Sequence, residues 1–461
     1  MFKKITALIC VVVLIAVPLA GCGNSSGGTT TTQAANNATT AAPVAEAATT
    51  QAAAEKSEIS FIVATSYKDY FDEVLVKGIN AKYPEVTVTP IYNNEPTVII
   101  QQQLAAGAGP DVITTQGTAD IATYARTSHI LPIDAYASQY GWMDKFSSWS
   151  FEPCSFEGKL YALPGKVDTE FVYYNKEAFA ANGWAIPTTY QELITLCENV
   201  KAAGMIPFSF GTSDYKYGNE WWWSLAFASA MSPDTLRTIL SGDELWTSAA
   251  PVDAMQKMLN LYELGYINEK QSTAITIDAA TELFSSGRAA MKMEGTWLLG
   301  NLTSQQIPTF DWGVFAMPSW NDGVPQTMPY ALGIGVSINA SSKNPDAAAK
   351  FLDIWAERDN QVIGMDYKSM GIPPVDGLDL STMPDIDPHV VEMQNIMNEF
   401  NAKKATSYLA WTYWGPQTRV YTCENVDAVW LGQLSLDTFM AEMQKQADLD
   451  KEEGKLFPFS N

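Results

Sequence analysis

Only two histidines occur in the chain, His129 and His389, which leaves little material for a histidine-based triad or a zinc site. His389 stands in an Asp-rich stretch and is expected at the surface. No Gly-x-Ser-x-Gly elbow, P-loop or dinucleotide fingerprint falls in a strand–turn–helix context. Carboxylates are plentiful, so composition alone leaves a glycosidase pair open. The distinctive residues are aromatic. Trp221, Trp222 and Trp223 are consecutive, and Trp411, Tyr413 and Trp414 precede Gly415-Pro416, a turn or helix-entry signal that can present rings on a surface. An indole face stacks and excludes water but carries no nucleophile. Rings of this kind, with carboxylates, amides and hydroxyls around them, suit non-covalent capture of a ligand with apolar C–H faces and hydroxyl edges. A helix spreads consecutive residues over different faces, so the tryptophan triple cannot serve one site whole. Trp222, or Trp221, is expected to edge a cleft while the others pack.

The elements that position these residues alternate between strand and helix. Ile59 to Val63 reads as a buried strand. Phe71, Val74, Leu75, Ile79 and Tyr83 then share a helical face that Pro84 ends. Val86 and Val88 alternate with threonines as in a strand. A helix opens at Pro96, breaks at Gly107, and Asp111 to Thr114 begins another strand. Further on, Thr188 or Thr189 caps a helix that runs to Ala203, with Glu192 just inside it. Cys197 lies on its apolar stripe and is expected in the core. Helices are also read over 253–264, 279–287, 344–355 and 436–448, with a strand at 334–338. This is an α/β pattern with a largely parallel sheet, whose ligands sit beyond the carboxyl ends of the strands. Thr65-Ser66-Tyr67 and Thr114-Thr115-Gln116-Gly117 occupy such ends. Asp111 is expected to brace structure.

The 461 residues are 47% hydrophobic and carry a net charge of −23. That balance opposes nucleic acid as a partner and a polybasic grip on anionic lipid. Lys3 and Lys4 precede an apolar run from Ile5 to Ala20, which marks a secretory signal. The run ends in Leu19-Ala20-Gly21-Cys22, which resembles the bacterial lipobox. The resemblance implies removal of residues 1–21, lipidation of Cys22 and an extracytoplasmic protein anchored to the cell membrane. Residues 22–57 are rich in Gly, Ser, Thr and Ala and cannot build a core, so a disordered tether is expected. Cys154, Cys197 and Cys423 then remain, too few for a disulfide framework and without zinc spacing.

Six further stretches carry a second resemblance. In order they are Gly109-Pro110-Asp111-Val112-Ile113, Gly158 to Pro164, Tyr173-Tyr174-Asn175-Lys176, Phe284 to Gly287 with Ala290 to Trp297, Gly333-Ile334-Gly335-Val336 with Asn344 to Ala348, and Leu431 to Ser435. From about residue 58 to the end, the chain resembles the family 1 extracellular solute-binding proteins that serve ABC sugar importers. The resemblance implies a two-lobe, type II periplasmic-binding-protein-like fold with a ligand cleft between hinged lobes. Residues 58–167 and 332–404 would form one lobe, and 172–328 and 408–461 the other. Crossings would lie near 168–171, 329–331 and 405–407. It implies a monomeric receptor that holds a carbohydrate, several rings suggesting an oligosaccharide, and hands it to permease subunits without catalysis, cofactor or metal. By family position, Trp297 and at least one of Trp411 and Trp414 would stack on the ligand, with Tyr413 in the core. Asp168, with Glu170 as its near alternative, would hold hydroxyls, and Tyr67, Thr115, Gln116 and Asp120 would contribute from the first lobe. The competing readings are a receptor of the same fold for a non-sugar such as a glycerol phosphate or peptide, or for a sensor kinase, and a secreted carbohydrate-active enzyme.

Overall fold

The computed structural model describes residues 56–459 except 94–95, 116, 367–370, 379 and 381–385. The signal, Cys22 and the tether up to residue 55 lie outside the described residues, as does Gln116.

Strands β1 (Ser57–Ala64), β2 (Val86–Asn93) and β3 (Val112–Thr115) form where the hydrophobic alternation places them. β1 lies between the other two and pairs parallel with both. Residues 68–82 between β1 and β2 are continuously helical and bury Phe71, Leu75 and Ile79. Asp111 braces this region: its carboxylate accepts from Ser60 N at 2.8 Å, Ser60 Oγ at 3.1 Å and Ser342 Oγ at 2.6 Å. A small hairpin of β4 (Ser155–Phe156) and β5 (Lys159–Leu160) precedes the longest strand, β6 (Leu163–Asn175).

β6 determines the architecture. Its first part pairs antiparallel with β10 (Met328–Ile338), through Val336↔Leu163 to Tyr330↔Thr169. Its second part, from Glu170, pairs antiparallel with β8 (Ala289–Gly295) and β9 (Trp312–Phe315). β7 (Ile206–Ser209) lies parallel on the far side of β8. The strand order is therefore β2-β1-β3-β10-β6-β8-β7, with β9 on β6 and β11 (Thr406–Tyr408) on β10. The chain changes halves along three adjacent strands, where Thr169, Tyr330 and Tyr408 stand in register. The sheet is mixed rather than largely parallel. β10 comes back from the second half, so it enters the first against the direction of β3. All eleven residues of β10 are buried, because helices cover both faces of the sheet's middle.

Helix ends follow local chemistry. Thr189, not Thr188, caps the helix Tyr190–Ala202: its Oγ1 accepts from Glu192 N at 3.2 Å, while the Glu192 carboxylate accepts from Thr188 N at 2.7 Å. Gly117 stands before the helix Thr118–Arg126 at φ +80°, a conformation that disfavours a side chain. The helix Pro388–Ala402 packs on β9, although the expectation grouped it with residues 332–404 in the first lobe. Two contacts draw it there: a Lys176–Glu392 ion pair at 2.8 Å and the His389 ring stacked on Trp312 at 3.6 Å. His389 is therefore a packed ring near a helix start, not a solvated loop residue. Cys154, Cys197 and Cys423 are buried free thiols.

Trp222 is fully buried between Phe208 and Phe210, with ring centroids at 5.2 and 5.8 Å. The expectation that it edges the cleft is corrected. Helix Asn219–Ala230 turns about 100° per residue, so only one ring of the triple can look outward. Trp223, also buried, stacks on Trp430 at 5.0 Å, and Trp221 takes the outward place.

Two outcomes follow from this packing. Trp222→Ala should destabilise the unliganded protein by about 3–5 kcal/mol, the usual cost of emptying a buried tryptophan site, as read by denaturant melts; a loss below about 1 kcal/mol would contradict the core assignment. Asp353 is the second case. Its burial works against the charged form. Hydrogen bonds from Lys82 (2.7 Å), Tyr83 (2.8 Å) and Trp142 (3.1 Å) outweigh that and hold its pKa below the usual carboxylate range. A lowered folded-state pKa contributes stability above the ordinary carboxylate range that is lost as pH falls through the folded value. Asp353→Asn should therefore lower stability at pH 7 and flatten the decline on the acid side of the ordinary carboxylate range; an acid limb as steep as the wild type's would count against it.

Candidate functional site

The carboxyl ends of β1 and β3 and the bend of β10 face the second half across a cleft of about 460 Å³. From the first half come Tyr67, in the turn after β1, Thr115 at the end of β3, and Lys166 and Asp168 on β6. The second half contributes Trp221, Trp297, Trp411, Tyr215, Glu220, Glu294 and Arg419.

Asp168 pairs with Ala331 on β10, and the register shifts between Leu332 and Gly335 leave Gly333 unpaired beside the Asp168 side chain. A Cβ at Gly333 would lie 2.6–2.7 Å from the Asp168 carboxylate atoms, so the glycine makes the space the acid fills. Asp168 Oδ1 is buried without a hydrogen-bond partner, and Lys166 Nζ stands 3.6 Å from it. Burial pushes the Asp168 carboxyl up and Lys166 holds it back. Glu170, the alternative to Asp168, is sealed beneath the cleft at 0% exposure. Burial, reinforced by the Glu220 and Glu294 carboxylates, pushes its pKa well above the usual range, and the Trp411 side chain works the other way. Its neutral acid form is therefore favoured.

The aromatic wall is built on the second half. Trp297 follows β8 and donates from Nε1 to Glu294 Oε1 at 3.0 Å, which fixes the plane of its ring. Trp221 packs against it with centroids 5.0 Å apart, and Tyr215 flanks Trp221 at 6.2 Å. Trp411 lies in a short helical turn after β11, held through its backbone N–H to Ser224 Oγ at 3.0 Å. Arg419 lies 5.2 Å over the Trp411 ring and makes a bidentate pair with Glu220, both contacts 2.8 Å. Behind Trp297, Lys292 and Glu294 pair at 2.8 Å, both buried. Lys166, Lys292 and Arg419 thus each have a carboxylate within the protein.

Tyr67, Thr115, Asp168, Trp297 and Trp411, all expected at the site, converge on the cleft. Asp120 and Trp414 do not line it. Asp120 faces a separate chamber, and Trp414 is almost wholly buried against Phe227 and Trp246, because the turn after Trp411 directs it inward. Tyr413 is buried among Tyr408, Phe457 and Phe459. Sequence reasoning missed Lys166, Tyr215, Glu220, Gly333 and Arg419. Gly333 carried a local signal, two residues from Gly335 in a strand. Glu220 and Arg419 are 199 residues apart and reveal themselves only as a folded pair.

Among the described residues no helix is long and apolar enough to cross a membrane. The family model of the bacterial extracellular solute-binding proteins matches residues 64–362. The multiple sugar-binding protein of Streptococcus mutans is 23% identical over 60% of this chain, and the chain spans 66% of that relative's length. The maltodextrin-binding protein of Bacillus subtilis is 22% identical over 66% of this chain and 70% of its own. Among solved structures, a chitin oligosaccharide binding protein superposes with a TM-score of 0.73 at 21% identity, over 86% of this chain and 98% of that one. A cleft between two sheet halves that share one strand, and a family match over most of the folded part, make this chain a member of the bacterial extracellular solute-binding proteins.

Proposed function

We propose that this protein is the extracytoplasmic substrate-binding lipoprotein of an ABC importer and that it captures an uncharged carbohydrate in the interlobe cleft for delivery to the permease. The observation that carries this reading is the opposition of Trp297, Trp221 and Trp411 on one wall to Asp168, Thr115 and Tyr67 on the other. Ring faces take the apolar side of a sugar, and the carboxylate and hydroxyls take its edge. The tryptophans stand on one wall and Asp168 and Thr115 on the other, so a ligand that meets both draws the lobes together by rotation about the three crossing strands. The relatives' names, multiple sugar-binding, maltodextrin-binding and chitin oligosaccharide binding, point the same way. Delivery without turnover fits the site, where the acids nearest the rings are engaged in ion pairs. The proposed lobe division follows the crossings near 168–171, 329–331 and 405–407, with the helix Pro388–Ala402 assigned to the second lobe.

A phosphorylated solute is the alternative that the charges disfavour. It would have to draw Lys166 from Asp168 or Arg419 from Glu220 to find a cation in the cleft, leaving a buried carboxylate unpaired.

A thermal-shift and calorimetric screen with neutral mono-, di- and oligosaccharides should raise the melting temperature by mass action, while glycerol phosphate should give no shift. Trp297→Ala should weaken the active sugar by at least about tenfold, 1.4 kcal/mol, and leave the unliganded melt nearly unchanged; affinity equal to wild type would remove Trp297 from the site. Cys22→Ala should abolish incorporation of labelled fatty acid and release the protein from cell membranes into the medium. Retention on the membrane with no label would rule out the anchor.

A further inference from the structure

The floor beneath the aromatic wall holds a carboxyl group that the capture of a sugar leaves without a task. Glu170 lies on β6 at the change of partner strands, in register with Gly295 of β8, and is wholly buried. Among the described residues, neither Glu170 Oε1 nor Oε2 has a hydrogen-bond partner. Acids face it from three elements: Asp168 on β6, Glu294 on β8 and Glu220 on the helix Asn219–Ala230. The neighbouring cations are committed to those acids, Lys166 to Asp168, Lys292 to Glu294 and Arg419 to Glu220. An ionised Glu170 would be a further carboxylate with no cation left for it, so this packing admits the neutral acid. The side chain placed to donate to Glu170 is Trp411. Its ring lines the cleft, and Arg419 backs the ring at 5.2 Å. The edge that carries Nε1 is not tied: this atom is buried and, among the described residues, has no acceptor. Trp297 shows the tied arrangement, because its Nε1 donates to Glu294 Oε1 at 3.0 Å. Glu170 and Glu294 come from the paired strands β6 and β8, so both tryptophans have a buried carboxyl group behind them.

We propose that Glu170 is the positioning residue of Trp411: a ligand stacked on that indole seats its Nε1–H on the Glu170 carboxyl group, which then fixes the plane of the ring. The inference rests on the carbohydrate reading above. A sugar face on the open side of the indole clamps the ring against Arg419, and the motion left to the ring is a tilt of its Nε1 edge. The carbonyl oxygen of a neutral Glu170 stops that tilt by accepting the N–H. Two buried polar groups that each lack a partner before binding then satisfy one another, and the cost of leaving them unpaired is recovered when the ligand arrives. Glu170 thus strengthens binding through Trp411 without touching the ligand.

The test is titration calorimetry with the saccharide that the wild-type protein binds. Glu170→Leu removes the acceptor and should weaken that saccharide by at least about fivefold. Glu170→Gln keeps a neutral acceptor of similar shape and should restore affinity to within about twofold of wild type. Trp411→Phe keeps a ring and deletes the N–H. On that background Glu170→Leu should cost less than about twofold, because the donor is already gone. The unliganded Glu170→Leu protein should melt at or above the wild-type temperature, since the substitution removes buried polar atoms that lack partners. Glu170→Met repeats the deletion in case the leucine variant fails to fold. Wild-type affinity in Glu170→Leu would overturn the proposal, as would a Glu170→Gln protein that binds as weakly as Glu170→Leu. A loss of full size on the Trp411→Phe background would separate Glu170 from Trp411 and overturn it equally. A wild type that binds no saccharide would bring down the carbohydrate reading itself, an outcome seen before any variant is made.

Discussion

One strand belongs to two sheets, and the rest of the molecule is arranged around that fact. β6 is hydrogen-bonded to β10 through Thr169 and to β8 from Glu170 onward, with no break between. The change of partner makes a seam at residues 168–170. Thr169 Oγ1 donates to Pro329 O at 2.7 Å and Thr169 O accepts from Thr296 N at 2.9 Å, so this residue joins both halves in place. Asp168 on one side of it faces the cleft, and Glu170 on the other is sealed beneath. Any rotation of one half against the other is therefore felt first at the residues that shape the floor of the site.

Electrostatics sharpen the consequence. A carboxylate buried without a partner costs several kcal/mol, and such groups shift their pKa rather than bear it. Glu220 and Glu294 avoid the cost through Arg419 and Lys292. Glu170 has no cation of its own, and its high pKa is the response. The cleft thus keeps its charges internal and presents polar groups whose remaining capacity is hydrogen bonding. A net charge of −23 repels anions at long range; the paired cations extend that preference to contact distance.

Much of the fold was legible because periodicity and caps are local signals. β1, β2, β3 and the Thr189 cap follow from residues within a few positions of one another, whereas the Asp111 brace joins Ser60 and Ser342 from distant parts of the chain. The site was legible where a family motif fixed a position, as at Asp168 and Trp297. It was not legible where side-chain direction decided. Trp221 and Trp222 differ by one residue and about 100° of helix, and that angle separates a cleft wall from a core. Trp411 and Trp414 differ by three residues across a turn, and the turn sends one ring to the cleft and the other to Phe227 and Trp246. The antiparallel entry of β10 was hidden for another reason: strand direction depends on which half the chain has just left.

The division of chemistry between the walls sets what each half must supply. Rings need a rigid backing, and the second half supplies it: Trp297 is fixed by Glu294, Trp221 by Trp297, and Trp411 by Ser224 and Arg419. Oxygens need backbone that approaches closely, and the first half supplies that through Gly117 at the end of β3 and Gly333 against Asp168. A side chain at Gly333 would occupy the place of the Asp168 carboxylate, and a side chain at Gly117 would strain the turn that brings Thr115 to the cleft. The glycines thus shape the cleft as the tryptophans do.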